Sequence, residues 1–227
     1  MDRMRAIIAD RMHTSHQTTA PVTLTTEVCA TSFVKLRQRL VRELSDKIGF
    51  SIGYNDLMVK AIALGLHAHP YVNARLEGDD IQLLKEIHVS VAVDTPLGLV
   101  APVVRDVYAK GVTEISSELR ALIEKVRAGK FSPDDLSGGT FTLSNLGMFE
   151  IDAFTPIINL PQTAILGVGR IKPQPALVEG RLQMQQTLWL SLTFDHRLVD
   201  GAPAARFLQS IKRLIENPQS LLNHCRN

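Results

Sequence analysis

The spacing of apolar residues changes character near position 70, and that change limits the architectures open to this chain. Before it, helical spacing dominates. Met4, Ile7, Ile8 and Met12 mark a helix from residue 1 to about 18, which Pro21 ends. Val22, Leu24, Thr26 and Val28 then alternate as a half-buried strand. Thr31 or Ser32 starts a second helix that runs to about residue 48. Phe33, Leu36, Leu40 and Leu44 lie along one side of it, and Gly49 stops it. Asn55 is read as the cap of a third, very apolar helix that ends before Pro70.

After position 70 the chain reads as short strands at 72–76, 81–84, 88–93 and 99–104. One helix interrupts them, with Thr113 as its cap, Ile115, Leu119, Leu122, Ile123 and Val126 as its stripe, and Gly129 closing it. Further strands are read at 140–144, 163–168, 170–178 and 188–194, and a last helix at about 202–216. The fold class is therefore α+β: several helices packed on a mainly β sheet, with the conspicuous polar motifs where strands end. Residues 1–227 read as a single domain.

With 227 residues, 45% of them hydrophobic, the chain is long enough to bury a sizeable core. A formal charge of +2, with both signs interspersed, lacks the basic stripe of a nucleic-acid binder. No apolar run is long enough to span a bilayer, and no charged segment followed by an apolar run opens the chain, so a membrane protein and a signal peptide are not indicated. The two cysteines, Cys29 and Cys225, form no metal or redox spacing and fit a reducing compartment.

Several motifs fail on their context. Gly167-Val168-Gly169 follows a strand, but the third glycine of a dinucleotide fingerprint is missing and Pro173 and Pro175 prevent a following helix. Gly129-Lys130 lacks the upstream glycine of a phosphate loop. His67 and His69, near a helix end, read as imidazoles favoured by the helix-end carbonyls rather than as metal ligands. His13, His16, His88 and His224 show no partner pattern and read as surface or packing residues.

One segment stands apart. The apolar strand Leu188, Trp189, Leu190, Leu192, Phe194 runs directly into Asp195-His196-Arg197, then Asp200-Gly201 and a helix. Charges crowded against buried apolar surface need partners, and a histidine held there can act as a base near neutral pH. The competing reading is a solvated charge cluster at a strand-to-helix turn. A second strand ends in a hydroxyl, an amide and a glycine, at Ser144, Asn145 and Gly147. If Ser144 meets His196, it acts either as a nucleophile with Asp200 orienting the base, as in a hydrolase, or as a donor to an oxyanion. A nucleophile elbow places glycine two residues either side of the serine; Thr142 and Leu146 stand there, which favours the second reading.

Asp195-His-Arg-Leu-Val-Asp-Gly201 resembles the signature of the dihydrolipoamide acyltransferase (E2) catalytic domains of 2-oxoacid dehydrogenase complexes, a variant of the His-x-x-x-Asp-Gly motif of chloramphenicol acetyltransferases. Met4-Arg5 through Arg11-Met12, Asn55-Asp56-Leu57 through Ala61, 93–104, Gly139 to Gly147, Pro156 to Asn159 and Ala164 to Gly167 resemble that family in the same order. The likeness covers essentially the whole chain. Asp195 and Arg197 favour the E2 branch over the chloramphenicol enzymes.

The resemblance implies a chloramphenicol acetyltransferase-like mixed β-sheet flanked by helices. It implies an acyltransferase with His196 as general base, Ser144 as oxyanion donor, and Asp200 in a structural role, paired with a base such as Arg5 or Arg11. CoA is then a substrate, lipoamide sits on a separate lipoyl domain, and no metal is required. Family members form homotrimers with the site between subunits, His from one and Ser from its neighbour, and many build larger shells that bind E1 and E3 enzymes through other domains. The apolar pair Leu221-Leu222 is a candidate contact between trimers. With no lipoylated segment or Ala/Pro linker, the chain reads as an excised catalytic core from a bacterial cytoplasm or a mitochondrial matrix. Ser144 to Met148 looks more like acetyl-transferring members than succinyl- or branched-chain ones. A serine hydrolase using Ser144 and a catalytically idle scaffold are the competing functions.

Overall fold

The computed structural model describes residues 3–96 and 98–222. Helix α1 (Arg3–Thr18) leads into strand β1 (Pro21–Cys29), helix α2 (Thr31–Ile48) and helix α3 (Tyr54–Ala68). Six short strands follow: β2 (Ala74–Glu77), β3 (Asp80–Leu83), β4 (Val89–Val91), β5 (Val93–Thr95), β6 (Gly98–Val100) and β7 (Val103–Val104). Helix α4 (Val112–Arg127) precedes β8 (Phe141–Asn145), β9 (Ala164–Val168), β10 (Lys172–Val178) and β11 (Arg181–Asp195), and α5 (Gly201–Glu216) comes last. The α+β arrangement read from the sequence is the one observed.

The main sheet runs β1-β11-β9-β8-β4-β7, and β10 pairs with the first half of β11. Strand β8 is parallel to β9 and β4, whereas β11 is antiparallel to β1, β9 and β10. Alternation along β11 splits the sheet into two faces. Leu188, Leu190, Leu192 and Phe194 join Leu166, Phe141 and Leu143 in one core with α3 and α5. There the Phe141 and Phe207 rings lie 5.6 Å apart. Each such side chain contributes about 1.5–3 kcal/mol by leaving water. Helices α3 and α5 approach so closely that a Cβ at Gly65 would stand 2.5 Å from Ile211.

The opposite face is built from hydroxyls. The register aligns Thr23, Thr193, Ile165, Thr142 and Ser90 across five strands. Thr23 and Thr193 bond at 2.8 Å, and Thr142 donates to Gln162 Oε1 at 2.6 Å. Gln162 in turn donates to Ser90 and to the Gly139 carbonyl. Buried polar atoms without partners are costly, and this ladder satisfies them while tying the irregular stretch 150–162 beneath β8. Helix α1 leans on that stretch through Ser15, whose hydroxyl donates to the Ile158 carbonyl at 2.6 Å. Ser15 is also the only buried residue among the described side chains of α1.

Four local readings need correction. The N-cap of α3 is Gly53, with Asp56 accepting its N–H at 2.7 Å, so Asn55 lies inside the helix and its side chain is free for another partner. Gly111 rather than Thr113 caps α4, because Glu114 reaches back to the Gly111 N–H. Strand β11 begins seven residues earlier than its apolar run, because β10 pairs the polar stretch Arg181 to Thr187. Leu221 is 1% exposed and belongs to this chain's own core, so it is not available for a contact between trimers. Cys225 and His224 lie outside the described residues, and Cys29 is a half-buried free thiol.

Candidate active site

Strand β11 delivers His196 to the rim of the sheet, and the main chain there is fixed from both sides. The His196 N–H donates to the Ala20 carbonyl at 2.9 Å. The preceding residue, Asp195, is 2% exposed and accepts the Ala20 N–H at 3.1 Å. It also accepts the Arg197 backbone N–H and a two-pronged contact from the Arg197 guanidinium, the shorter arm 2.7 Å. Burial by itself raises the Asp195 pKa, but the Arg197 guanidinium and the backbone N–H groups of Arg197 and Ala20 outweigh it and hold the carboxyl below its ordinary value. The anchor of the histidine loop is therefore Asp195, a role sequence reasoning did not assign. Its signal was available: a carboxylate directly after a buried strand must be paired.

The imidazole itself stays accessible, with 44% of its side chain exposed, and tilts against the Phe194 ring at 5.8 Å. Asp200 Oδ1 lies 4.0 Å from His196 Nδ1. Asp200 is the N-cap residue of α5 but makes no side-chain cap bond, and its carboxylate is 84% exposed. Among the described residues no arginine is seen paired with Asp200.

Ser144 stands one residue from the end of β8, half-buried, and its hydroxyl has no hydrogen-bond partner among the described residues. The turn after it is closely packed. Asn145 donates from Nδ2 to Asn55 Oδ1 at 2.7 Å and accepts the Gly147 N–H at 2.8 Å. A Cβ at Gly147 would stand 2.8 Å from the Gly169 carbonyl, and one at Gly169 would stand 1.7 Å from the Asp152 carbonyl. The glycines of the failed dinucleotide motif are thus close-approach points. Arg170 and Lys172 both bond Asp152 on the same side and hold its pKa down to about 2.

The register places Ser144 opposite Gly167, and Gly167 opposite Ser191. His196 lies five residues further along β11. At about 3.3 Å per residue and 4.8 Å per strand, the two residues are on the order of 15–20 Å apart in one chain. A single copy therefore does not bring serine and histidine together.

A cleft of about 640 Å³ opens beside the Ser144 turn. Asn145, Gly147 and Met148 line it together with Phe50, Arg120 and Arg127. Arg120 stacks 5.7 Å over the Phe50 ring and pairs with Glu124 at 2.9 Å. Asp56 lies in the wall, its pKa raised by burial although Ser116, Gly53 and Arg37 each oppose that shift.

Three further histidines, His67, His69 and His88, find local partners. His67 stacks on Tyr108 at 3.9 Å, and His69 bonds the Tyr71 hydroxyl at 2.8 Å, so tyrosines rather than helix-end carbonyls hold them. The His88 ring takes the Asp106 N–H at 3.0 Å. Among the described residues no group of three or more His, Cys, Asp or Glu is placed to hold a metal, and no helix is long and apolar enough to cross a membrane.

Residues 1–223 match the family model described as 2-oxoacid dehydrogenases acyltransferase (catalytic domain). The chain belongs to that family. It is 42% identical over 222 residues to the dihydrolipoyllysine-residue succinyltransferase component of the mitochondrial 2-oxoglutarate dehydrogenase complex of Saccharomyces cerevisiae, covering 98% of this chain and 48% of that protein. The corresponding Escherichia coli K12 protein is 40% identical, with 98% and 55% covered. The chain thus spans about half the length of these relatives. Among solved structures, the Azotobacter vinelandii dihydrolipoamide acetyltransferase superposes with a TM-score of 0.93 at 35% identity, covering 98% of this chain and 92% of that one. A truncated catalytic core of the 2-oxoacid dehydrogenase complex from Thermoplasma acidophilum gives 0.87 at 33% identity, with 96% and 97% covered. The mixed sheet flanked by helices is the E2 core fold.

Proposed function

We propose that this E2 domain transfers an acyl group between a dihydrolipoyl thiol and CoA, with His196 as general base, Ser144 as oxyanion donor and Asp200 beside the imidazole. The observation that carries the reading is the pair of unspent groups: an accessible imidazole on a loop held by main-chain bonds, and a hydroxyl at Ser144, unpartnered among the described residues, one position before the cleft-lining Asn145. The polarity of that cleft supports CoA as its occupant. Its lining combines the amide and glycine surface of the turn after Ser144 with two arginines suited to phosphates, of which Arg120 is already paired with Glu124.

The chemistry follows from these groups. His196 removes the proton of the attacking thiol, whose own pKa leaves little thiolate at neutral pH. The sulfur adds to the thioester carbonyl carbon, and Ser144 donates its O–H to the oxygen that gains the charge. One such donor lowers the barrier by about 3 kcal/mol. As the carbonyl re-forms, the other carbon–sulfur bond breaks, and the departing thiolate takes the proton from the His196 imidazolium. Transfer is direct from thiol to thiol and needs no acyl-enzyme.

Because one copy keeps the two residues apart, the working site is formed between copies, His196 of one and Ser144 of the next. Trimeric assembly into a larger shell is supported by the likeness, at a TM-score of 0.93, to the cubic core of a pyruvate dehydrogenase complex. Lipoyl, E1 and E3 partners act outside this catalytic domain. The relatives come from a mitochondrion and from bacteria, which supports a matrix or cytoplasmic setting.

Two acyl groups have support. The relatives at 42% and 40% identity are succinyltransferases, which favours succinyl. The segment Ser144 to Met148 and the Azotobacter structure favour acetyl. Transfer to free dihydrolipoamide from succinyl-CoA and acetyl-CoA, measured with wild type and His196→Ala, tests both points. Transfer abolished by the substitution is the expected result, and the donor with the higher kcat/KM names the acyl group. Turnover without CoA, or covalent labelling of Ser144 by a serine-directed reagent, would establish the hydrolase instead. No transfer to any thiol would leave an idle scaffold.

A further inference from the structure

Asn55 carries no role in the chemistry described so far, yet it sits on the first turn of α3 with its side chain directed at the end of β8. A chain of fixed donors and acceptors connects it to the Ser144 turn. The backbone N–H of Gly147 can only donate, so the Asn145 atom it meets at 2.8 Å must be the amide oxygen. That leaves the Asn145 NH2 pointing at Asn55, which must answer with its own oxygen, 2.7 Å away. Neither amide can be flipped without setting donor against donor or acceptor against acceptor.

The base of this relay is rigid. Asp56, the next residue, accepts the Gly53 N–H at 2.7 Å and the hydroxyl of Ser116 on α4 at 2.6 Å, which locks the first turn of α3. On the β8 side, the ladder to β9 ends at Asn145, and the Leu146 N–H makes one more bond, to the Val168 carbonyl at 3.1 Å. Ser144 therefore lies one step before the last paired residue of its strand, and the next side chain is held by α3.

We propose that Asn55 is a positioning residue: through Asn145 it sets the direction of the Ser144 hydroxyl toward the developing oxyanion. The inference rests on the reading of Ser144 as oxyanion donor. It assigns a polarity to each amide, and the polarity is what the experiment reads. Asn55→Asp keeps the acceptor that Asn145 needs. Asn55→Ala removes it. Asn145→Asp keeps the acceptor for Gly147 but loses the donor and turns two acceptors toward each other.

The test is steady-state acyl transfer to dihydrolipoamide by this chain, with Asn55→Ala, Asn55→Asp, Asn145→Asp, Ser144→Ala and the double variant Asn55→Ala/Ser144→Ala. Misplacement of a reacting group by less than an ångström costs roughly 10- to 100-fold in kcat. We expect that loss in Asn55→Ala and Asn145→Asp with little change in KM, and near-wild-type kcat in Asn55→Asp. In the Ser144→Ala background, Asn55→Ala is expected to add no further loss. An Asn55→Asp enzyme as poor as Asn55→Ala, or a full further loss in the double variant, overturns the relay while leaving Ser144 in its role. A fully active Ser144→Ala enzyme overturns the reading of Ser144, and the relay with it.

Discussion

The N–H of His196 donates to the Ala20 carbonyl at 2.9 Å, one position beyond the last paired residues of β1 and β11. The Asp195 carboxylate accepts the Ala20 N–H, so the two segments are clasped through both backbone groups of one residue, Ala20. The proposed base is held by its main chain, and its ring remains accessible. The linkage also explains why the first helix and the histidine motif belong to one unit, although they are nearly 180 residues apart.

Asp195→Ala is expected to destabilise the chain by about 2–3 kcal/mol, because it strands the Ala20 N–H and removes the acceptor of a half-exposed guanidinium. Urea unfolding reads this as a lower midpoint at unchanged slope. The same variant should lose most of its kcat. Retention of full activity in the folded fraction would show that the loop does not need its anchor.

Stability should fall in acid with a contribution from Asp195. Its carboxyl titrates below its ordinary value of 3.8, so its stabilising effect is complete above that pH and is lost as pH drops through the lower, folded value. Unfolding free energy measured between pH 5 and pH 3 should therefore fall less steeply in Asp195→Asn than in wild type. Identical slopes would remove Asp195 from the acid response.

Much of this was legible in the sequence, for identifiable reasons. Helices α2 and α5 and strand β1 carry clear periodicity, and the strand into Asp195-His196 marked the site because charge met buried surface. The first half of β11 was missed although Leu182 and Met184 alternate with Arg181, Gln183 and Gln185; both apolar side chains are exposed, and pairing with β10 rather than burial makes the stretch a strand. Asn55 looked like a cap because asparagine favours caps, but Gly53 with Asp56 does that work and frees Asn55 for Asn145. The distance between Ser144 and His196 depends on register across three strands, which no local pattern encodes.

Asp200→Asn is expected to leave thermal stability nearly unchanged, since the carboxylate makes no cap bond and is almost fully exposed. Its effect should appear in turnover. If transfer passes through a cationic His196, as proposed, Coulomb attraction from a carboxylate 4.0 Å away assists it, and a severalfold loss of kcat is expected without that carboxylate. Screening should shrink that difference in 1 M salt. A large drop in melting temperature would instead mean that Asp200 gains a partner on assembly.

Gly147→Ala should damage the Ser144 turn without opening the core. The added methyl would meet backbone atoms, the Gly169 carbonyl at 2.8 Å and Arg170 Cα at 2.9 Å, and backbone cannot swing aside. Overpacking of this kind costs about 1–3 kcal/mol. Here the strain falls beside the oxyanion donor, so kcat should drop by more than the change in stability suggests. A variant that melts lower but turns over normally would place the turn outside the site.

The decisive prediction concerns the separation of Ser144 from His196. If each site takes histidine from one copy and serine from the next, Ser144→Ala and His196→Ala chains are each defective in every site of their own assemblies. Mixed assemblies differ. In a ring of identical contacts, a His196→Ala copy supplies an intact serine to the histidine of a Ser144→Ala neighbour. Random mixing of equal amounts then restores about a quarter of the wild-type sites. Co-expression of the two variants with different tags, followed by sequential purification on both, isolates the mixed species for assay. Removal of the unmixed assemblies raises that fraction to about a third for isolated mixed trimers, and activity near it is the expected outcome. Mixed assemblies no more active than the better single variant would place both residues of each site in one copy, and the register of β8 and β11 shows that one copy does not bring them together.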